Sequence, residues 1–200
     1  MLKLKFGLII VLLGWLSACV TVVEDQPKQP PSALEQELRR TSVISTSDPG
    51  FNPQPGARVA WRDGLQVLSS DGKQINPDLK EKIKSHIDRN LAGKGFRFSQ
   101  PGQPIDYWVH GLILLGDELN EEKLGQILGF EPGLVSQSRN YEKGSLVLIL
   151  VNPNNPATKW RGVVQVFTST ELTEAERELR LDYIIRSLMH PLPNLLIPKA

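Results

Sequence analysis

Apolar residues recur along this chain with two distinct periods. Leu79, Ile83, Ile87 and Leu91 return every four residues, which is the spacing of one face of a helix. Asn76 is suited to cap that helix and Pro77 to start it, and Gly93 and Gly95 end it. A second helix opens at Thr173, which forms a capping-box pattern with Glu176 three positions on. Its inner side carries Leu181, Ile184, Ile185, Leu188 and Met189, and it stops before Pro191.

Elsewhere the period is two. In residues 105–116, Tyr107, Val109, Gly111, Ile113 and Leu115 face one way, and Trp108, His110, Leu112 and Leu114 face the other. Both sets are largely apolar, so this reads as a central strand covered on both sides. SLVLILV (145–151) and TKWRGVVQVF (158–167) flank an Asn-Pro-Asn-Asn-Pro turn and form the clearest hairpin in the chain. RVAW (58–61) predicts a short strand, residues 62–64 a turn, LQVLSSDGKQI (65–75) another strand ending at an Asp71-Gly72 turn, and GFRFS (95–99) a further short strand. Residues 121–128 read as a short helix followed by a loop. The order predicts an α+β fold: a mainly antiparallel sheet of four or five strands with both long helices packed on one face.

The N-terminal pattern differs from all of this. Lys3 and Lys5 precede the apolar run FGLIIVLLGW, and small residues follow before Cys19, the single cysteine. A basic start, an apolar middle and a small-residue exit describe a secretory signal peptide. Leu16-Ser17-Ala18-Cys19 resembles the lipobox of bacterial lipoproteins. That resemblance implies cleavage between Ala18 and Cys19 and acylation of the Cys19 thiol. Residues 6–23 carry no charge, so an uncleaved membrane helix is the competing reading. A lone cysteine makes no internal disulfide, and lipid attachment accounts for it. Val20 rather than aspartate follows the cysteine, which by analogy with enteric lipoproteins implies the periplasmic face of the outer membrane.

These patterns divide the chain into a signal peptide (1–18), a lipidated N-terminus with a Pro/Ser-rich tether (19–56), a globular domain (57–193) and a tail (194–200). ALEQELRR, within the tether, is read as a frayed helical turn. Loss of the leader removes two of 23 basic residues against 22 acidic ones, leaving the mature chain close to neutral. Near-neutrality argues against a nucleic-acid binder.

The order of several short motifs resembles the bacterial lipoprotein family called domain of unknown function 4136. The motifs are the lipobox, Val59-Ala60-Trp61, LAGKGF (91–96), Asp106 to His110, Trp160-Arg161-Gly162 and residues 188–193. The resemblance covers about residues 43–193 and implies no biochemical activity.

Candidate chemistry is sparse. His86, His110 and His190 lie in three elements without metal-ligand spacing, and no phosphate-binding or nucleophile motif occurs, so no metal, cofactor or catalytic residue is assigned. His86 reads as half-buried at the helix surface. The acids at 117, 118, 121 and 122 read as a solvated helix start. His110 with Asp106 is the one conceivable acid–base pair, set against a plain strand histidine. Trp160, Arg161, Trp108 and His110 form a possible binding surface; the competing account buries Trp160 and Trp61 under the helices, with glycine permitting close packing. The expectation is a non-enzymatic envelope domain, held to the membrane through Cys19, that contacts an envelope protein or lipid. A ligand carrier with its pocket between sheet and helices, or a hydrolase using His110, are the alternatives.

Overall fold

The computed structural model describes residues 35, 38, 41–69, 72, 74–115, 142–168 and 172–197. Among the described residues, six strands and two long helices follow in the order β1 (Thr41–Ser47), β2 (Arg58–Ser69), α1 (Pro77–Gly93), β3 (Arg97–Phe98), β4 (Tyr107–Leu115), β5 (Glu142–Asn152), β6 (Asn155–Thr168) and α2 (Glu174–Met189). They form one sheet in the order β1-β6-β5-β4-β2-β3. The run from β1 through β6 and β5 to β4 is antiparallel, whereas β2 pairs in parallel with both β4 and β3. The α+β class therefore holds, but the sheet is larger and more mixed than expected. The cause is α1: its 17 residues carry the chain back along the sheet, so the strands that follow start at the same end as β2.

Two boundaries also shift. The expected tether through residue 56 contains β1, whose run of Thr, Val, Ile and Ser pairs along β6, and Phe51, a core residue against the Tyr107 ring at 5.1 Å. Glu35 and Leu38, in the ALEQELRR stretch, are helical. At the other end, Leu195 of the expected tail is buried, and its N–H donates to the Lys94 carbonyl at 2.7 Å. The expected turn at 62–64 is a break in register within one strand, β2, where Gly64 takes φ +67°. The segment 116–141, with its expected helix and acidic cluster, lies outside the described residues, as do residues 1–34.

Both helices cover the same face. Ile83, Ile87 and Leu91 of α1 and Ile184, Ile185, Leu188 and Met189 of α2 pack on Val59, Leu65, Val109, Leu148, Leu150 and Trp160. Leu79, at the head of the expected α1 stripe, is exposed. The helix starts are built as read: the Asn76 side chain accepts from the Asp78 N–H, and Thr173 and Glu176 complete a capping box. Two glycines make room on the covered face. A Cβ on Gly111 would lie 2.7 Å from Leu65 Cδ1 and 2.8 Å from the Trp61 ring, and one on Gly162 would lie 2.4 Å from the Trp160 ring. Each of these two tryptophan rings thus takes up space that a side chain at the neighbouring glycine would need. Trp61 is also held from above, its Nε1–H donating to Asp88 Oδ1 at 2.7 Å.

The C-terminus of α2 is tied to that of α1. Lys94 reaches across and donates from Nζ to the Leu192 carbonyl at 2.6 Å and the His190 carbonyl at 3.4 Å. These carbonyls lie at the negative end of α2, where a cation is favoured. Gly95 takes φ +91° with Leu195 and Leu196 close against it. Phe96 then enters the core. The Lys-Gly-aromatic sequence is a three-residue clasp for the chain end.

Candidate functional site

The opposite face of the sheet is open to solvent over only part of its area. Strand register aligns four rows across it: Lys159–Val151–Trp108, Arg161–Ile149–His110, Val163–Val147–Leu112 and Gln165–Ser145–Leu114. Burial increases along that series. All members of the first two rows are half-buried, while Val163, Val147, Leu114, Ser145 and Gln165 are almost wholly enclosed. Leu114, Val147 and Val163 form a second apolar cluster, with Leu112 and Ile149 packed against it. Between the open rows and this cluster runs a groove of about 510 Å³. Its floor is Leu112, Val147, Ile149 and Val151, with Pro156 at one side. Lys159 stands in the first of these rows, Arg161 and His110 flank Ile149 in the next, and Gln66 lies beside Leu112.

The charges around the groove are arranged by β1 and the β2 break. Asp48, just past β1, accepts the Lys159 backbone N–H at 3.0 Å through Oδ2, and its Oδ1 lies 3.7 Å from Arg161. The carboxylate thus holds the Arg161 head near the strand, while the Lys159 ammonium makes no ion pair among the described residues. Arg62, beside the break, stacks over the Trp108 ring at 5.8 Å. Burial, the leading cause, pushes the His110 imidazole below its ordinary value; Asp63 opposes the shift and Arg62 reinforces it. His110 is therefore a neutral, polar member of the rim at pH 7.

The residues singled out from sequence divide between the two faces. Trp108, His110 and Arg161 share the open one. Trp160 does not; it is 1% exposed beneath α2 and belongs to the core. Strand alternation requires this, since neighbours in β6 point to opposite sides. His110 and Asp106 do not form a pair. They are four residues apart along extended chain, about 13 Å at ~3.3 Å per residue, and Asp106 Oδ2 accepts the Arg58 N–H at 2.7 Å. The space between sheet and helices, the expected place for a carried ligand, is filled by Trp160, Leu188, Met189 and their neighbours.

His86 is buried rather than half-buried. It lies between the helices, with Nε2 2.8 Å from Glu178 Oε1 and Nδ1 3.7 Å from Asp182 Oδ1. The His86 hydrogen bond is the main cause holding the Glu178 carboxyl below the usual carboxylate range. Lys82 adds an ion pair to Glu174 at 2.9 Å across the same interface. No local pattern announces this cluster, because its partners are 92 residues apart. Lys159 was likewise missed, although alternation with Arg161 in TKWRG already places both on one face. No cluster of three metal-ligating side chains occurs among the described residues, and none of the described helices is long and apolar enough to cross a membrane. Leu16, Ser17, Ala18 and Cys19 lie outside the described residues.

Fold and face together define a sheet domain with one side sealed by two helices and the other carrying an apolar groove with a basic rim. The chain belongs to the family described as Domain of unknown function (DUF4136), which matches residues 46–194. A DUF4136 family protein from Bacteroides thetaiotaomicron VPI-5482 has a similar structure, with a TM-score of 0.52 and 15% identity, covering 78% of this chain and 97% of that one. A PelC dodecamer from Paraburkholderia phytofirmans gives 0.47 and 13%, covering 76% and 96%. A PDZ domain protein from Parabacteroides distasonis ATCC 8503 gives 0.36 and 11%, covering 76% and 35%. No curated protein matches the chain.

Proposed function

We propose that this protein is a lipoprotein of the cell envelope, acylated at Cys19 and held at the periplasmic face of the outer membrane, whose domain binds an envelope component and catalyses no reaction. The observation that carries the binding role is the groove on the face away from the helices. An apolar floor left open beside a basic rim is the form a recognition surface takes. The leader and lone cysteine support the anchor, and family membership is compatible with it. Tethering near a membrane raises the effective concentration of the domain for any partner there.

Two measurements test this reading. Photo-crosslinkers placed at Pro156 and Lys159 in living cells should capture an envelope component, whereas one at exposed Leu179 on α2 should not. Equal capture from both positions would remove the groove from the account. Fractionation should find the wild-type chain in the outer membrane, and Cys19→Ala, which keeps its apolar leader, should be missing from that membrane. A wild-type chain found soluble would dispose of the anchor.

A further inference from the structure

The geometry points to a single-chain fatty carboxylate as the occupant of the open-face groove, its alkyl chain lying over Ile149, Val147 and Leu112 and its carboxylate meeting Lys159 at the open end. This rests on the binding role proposed above and specifies the ligand for the same surface.

Three features select that chemistry. The first is what the floor lacks. It is the middle of a sheet, where the backbone groups of β4, β5 and β6 are committed to their ladders. An extended peptide laid there would find no backbone partners, and its own amides would lose water without replacement. An alkyl chain has no such groups to satisfy. The second feature is polarity along the groove. The rows run from Lys159 and Arg161 at the open end to Val163, Val147 and Leu112 deeper in, so charge lies at one end only. The polar residue beside Leu112, Gln66, spends its amide on the Asp63 carbonyl. A ligand matching this is polar at one end and apolar along its length. The third is sign and size. Asp48 occupies one side of the Arg161 guanidinium, while the Lys159 ammonium pairs with no described acid. An anionic head therefore gains a partner at Lys159, and a charge-assisted hydrogen bond is among the stronger polar contacts. A volume of about 510 Å³ suits one acyl chain and not the two of a phospholipid.

The test uses the full chain carrying Cys19→Ala, so that no acyl group of its own competes. A fluorescent polyene fatty acid is bound and then displaced by hexadecanoate, hexadecanol or hexadecyltrimethylammonium. Hexadecanoate should displace the probe. The neutral alcohol should be weaker by about tenfold, the loss of one charge-assisted contact, and the cation weaker still. Lys159→Glu changes a side chain at the rim, so the fold should survive, and hexadecanoate should weaken by about tenfold or more. Ile149→Gln should weaken acid and alcohol together. No displacement by any of the three overturns the proposal, as does equal displacement by acid and alcohol, or a Lys159→Glu protein that binds like its parent. Groove crosslinks to a polypeptide from a protein that ignores hexadecanoate would keep the binding role and reject this ligand.

Discussion

Gly162→Ala offers the sharpest test of the packing. The added Cβ would lie 2.4 Å from Trp160 Cη2 and 2.9 Å from Leu188 Cδ1. Ordinary carbon contacts lie near 3.5–4.0 Å, so the ring must retreat by about 1 Å. It has nowhere to go, being 1% exposed with Leu188 and Met189 fully buried around it. Overpacking of this kind costs about 1–3 kcal/mol. Against it, alanine lowers the entropy of the unfolded chain, a gain of about 0.4–1 kcal/mol where the backbone permits it. Gly162 does permit it, since its φ is not positive. The net expectation is a loss of about 1–2 kcal/mol, or roughly 2–8 °C in Tm for a domain of this size. The diagnostic step is a double-mutant cycle with Trp160→Phe. Phenylalanine lacks the outer indole atoms that collide, so Gly162→Ala should become neutral or slightly stabilising in that background. Urea unfolding followed by far-UV circular dichroism measures all four proteins. A cost that is the same in both backgrounds, with coupling under about 0.5 kcal/mol, would refute the claim that this glycine exists to seat the indole.

Other expectations follow from contacts elsewhere in the domain. Lys94→Ala should destabilise by about 1.5–3 kcal/mol through loss of charged hydrogen bonds to the α2 terminus, and hydrogen exchange should rise first in residues 187–195. Thr173→Ala should cost about 1 kcal/mol by removing the α2 cap, read from the urea midpoint. The Glu178 carboxyl is held low mainly by His86, so the folded state binds its proton less readily than the unfolded state does. That contribution to stability is present above the ordinary carboxylate value and is lost as pH falls through the lowered one, so His86→Leu should flatten the acid limb of a stability–pH curve. His110 has the other sign of charge: its lowered value means the unfolded chain takes up a proton first, and stability falls as pH drops below about 6.5. His110→Gln should remove that component.

The sequence made the long-period and hairpin elements plain, because both depend on neighbours within a few residues. Asn76-Pro77, Thr173 with Glu176 and the Asn-Pro turn are local chemistry, and each lies where expected. The sheet's extent was harder to see. β1 is a short run of small and β-branched residues between proline-rich stretches, and only its pairing with β6, more than a hundred residues away, makes it a strand. The parallel pairs of β2 depend on where α1 delivers the chain, which periodicity does not encode. Gly64 marks a break inside one strand, although Arg-Asp-Gly alone reads equally well as a turn. The site was half legible. Alternation correctly put Trp108 and His110 on one face of β4, and the same rule applied to TKWRG separates Trp160 from Arg161 and brings Lys159 beside it. What no local pattern reveals is which face the helices seal, and so which of the two carries the groove. The His86 cluster is a matter of helix packing and is equally silent in sequence.

Acylation of Cys19 is the claim on which the cellular role stands, and the mass of the intact protein taken from its native membrane tests it most directly. The account predicts a chain that begins at Cys19 and carries acyl groups, with Cys19→Ala yielding neither the cleavage nor the added mass. A wild-type chain that keeps Met1 and bears no lipid would contradict it.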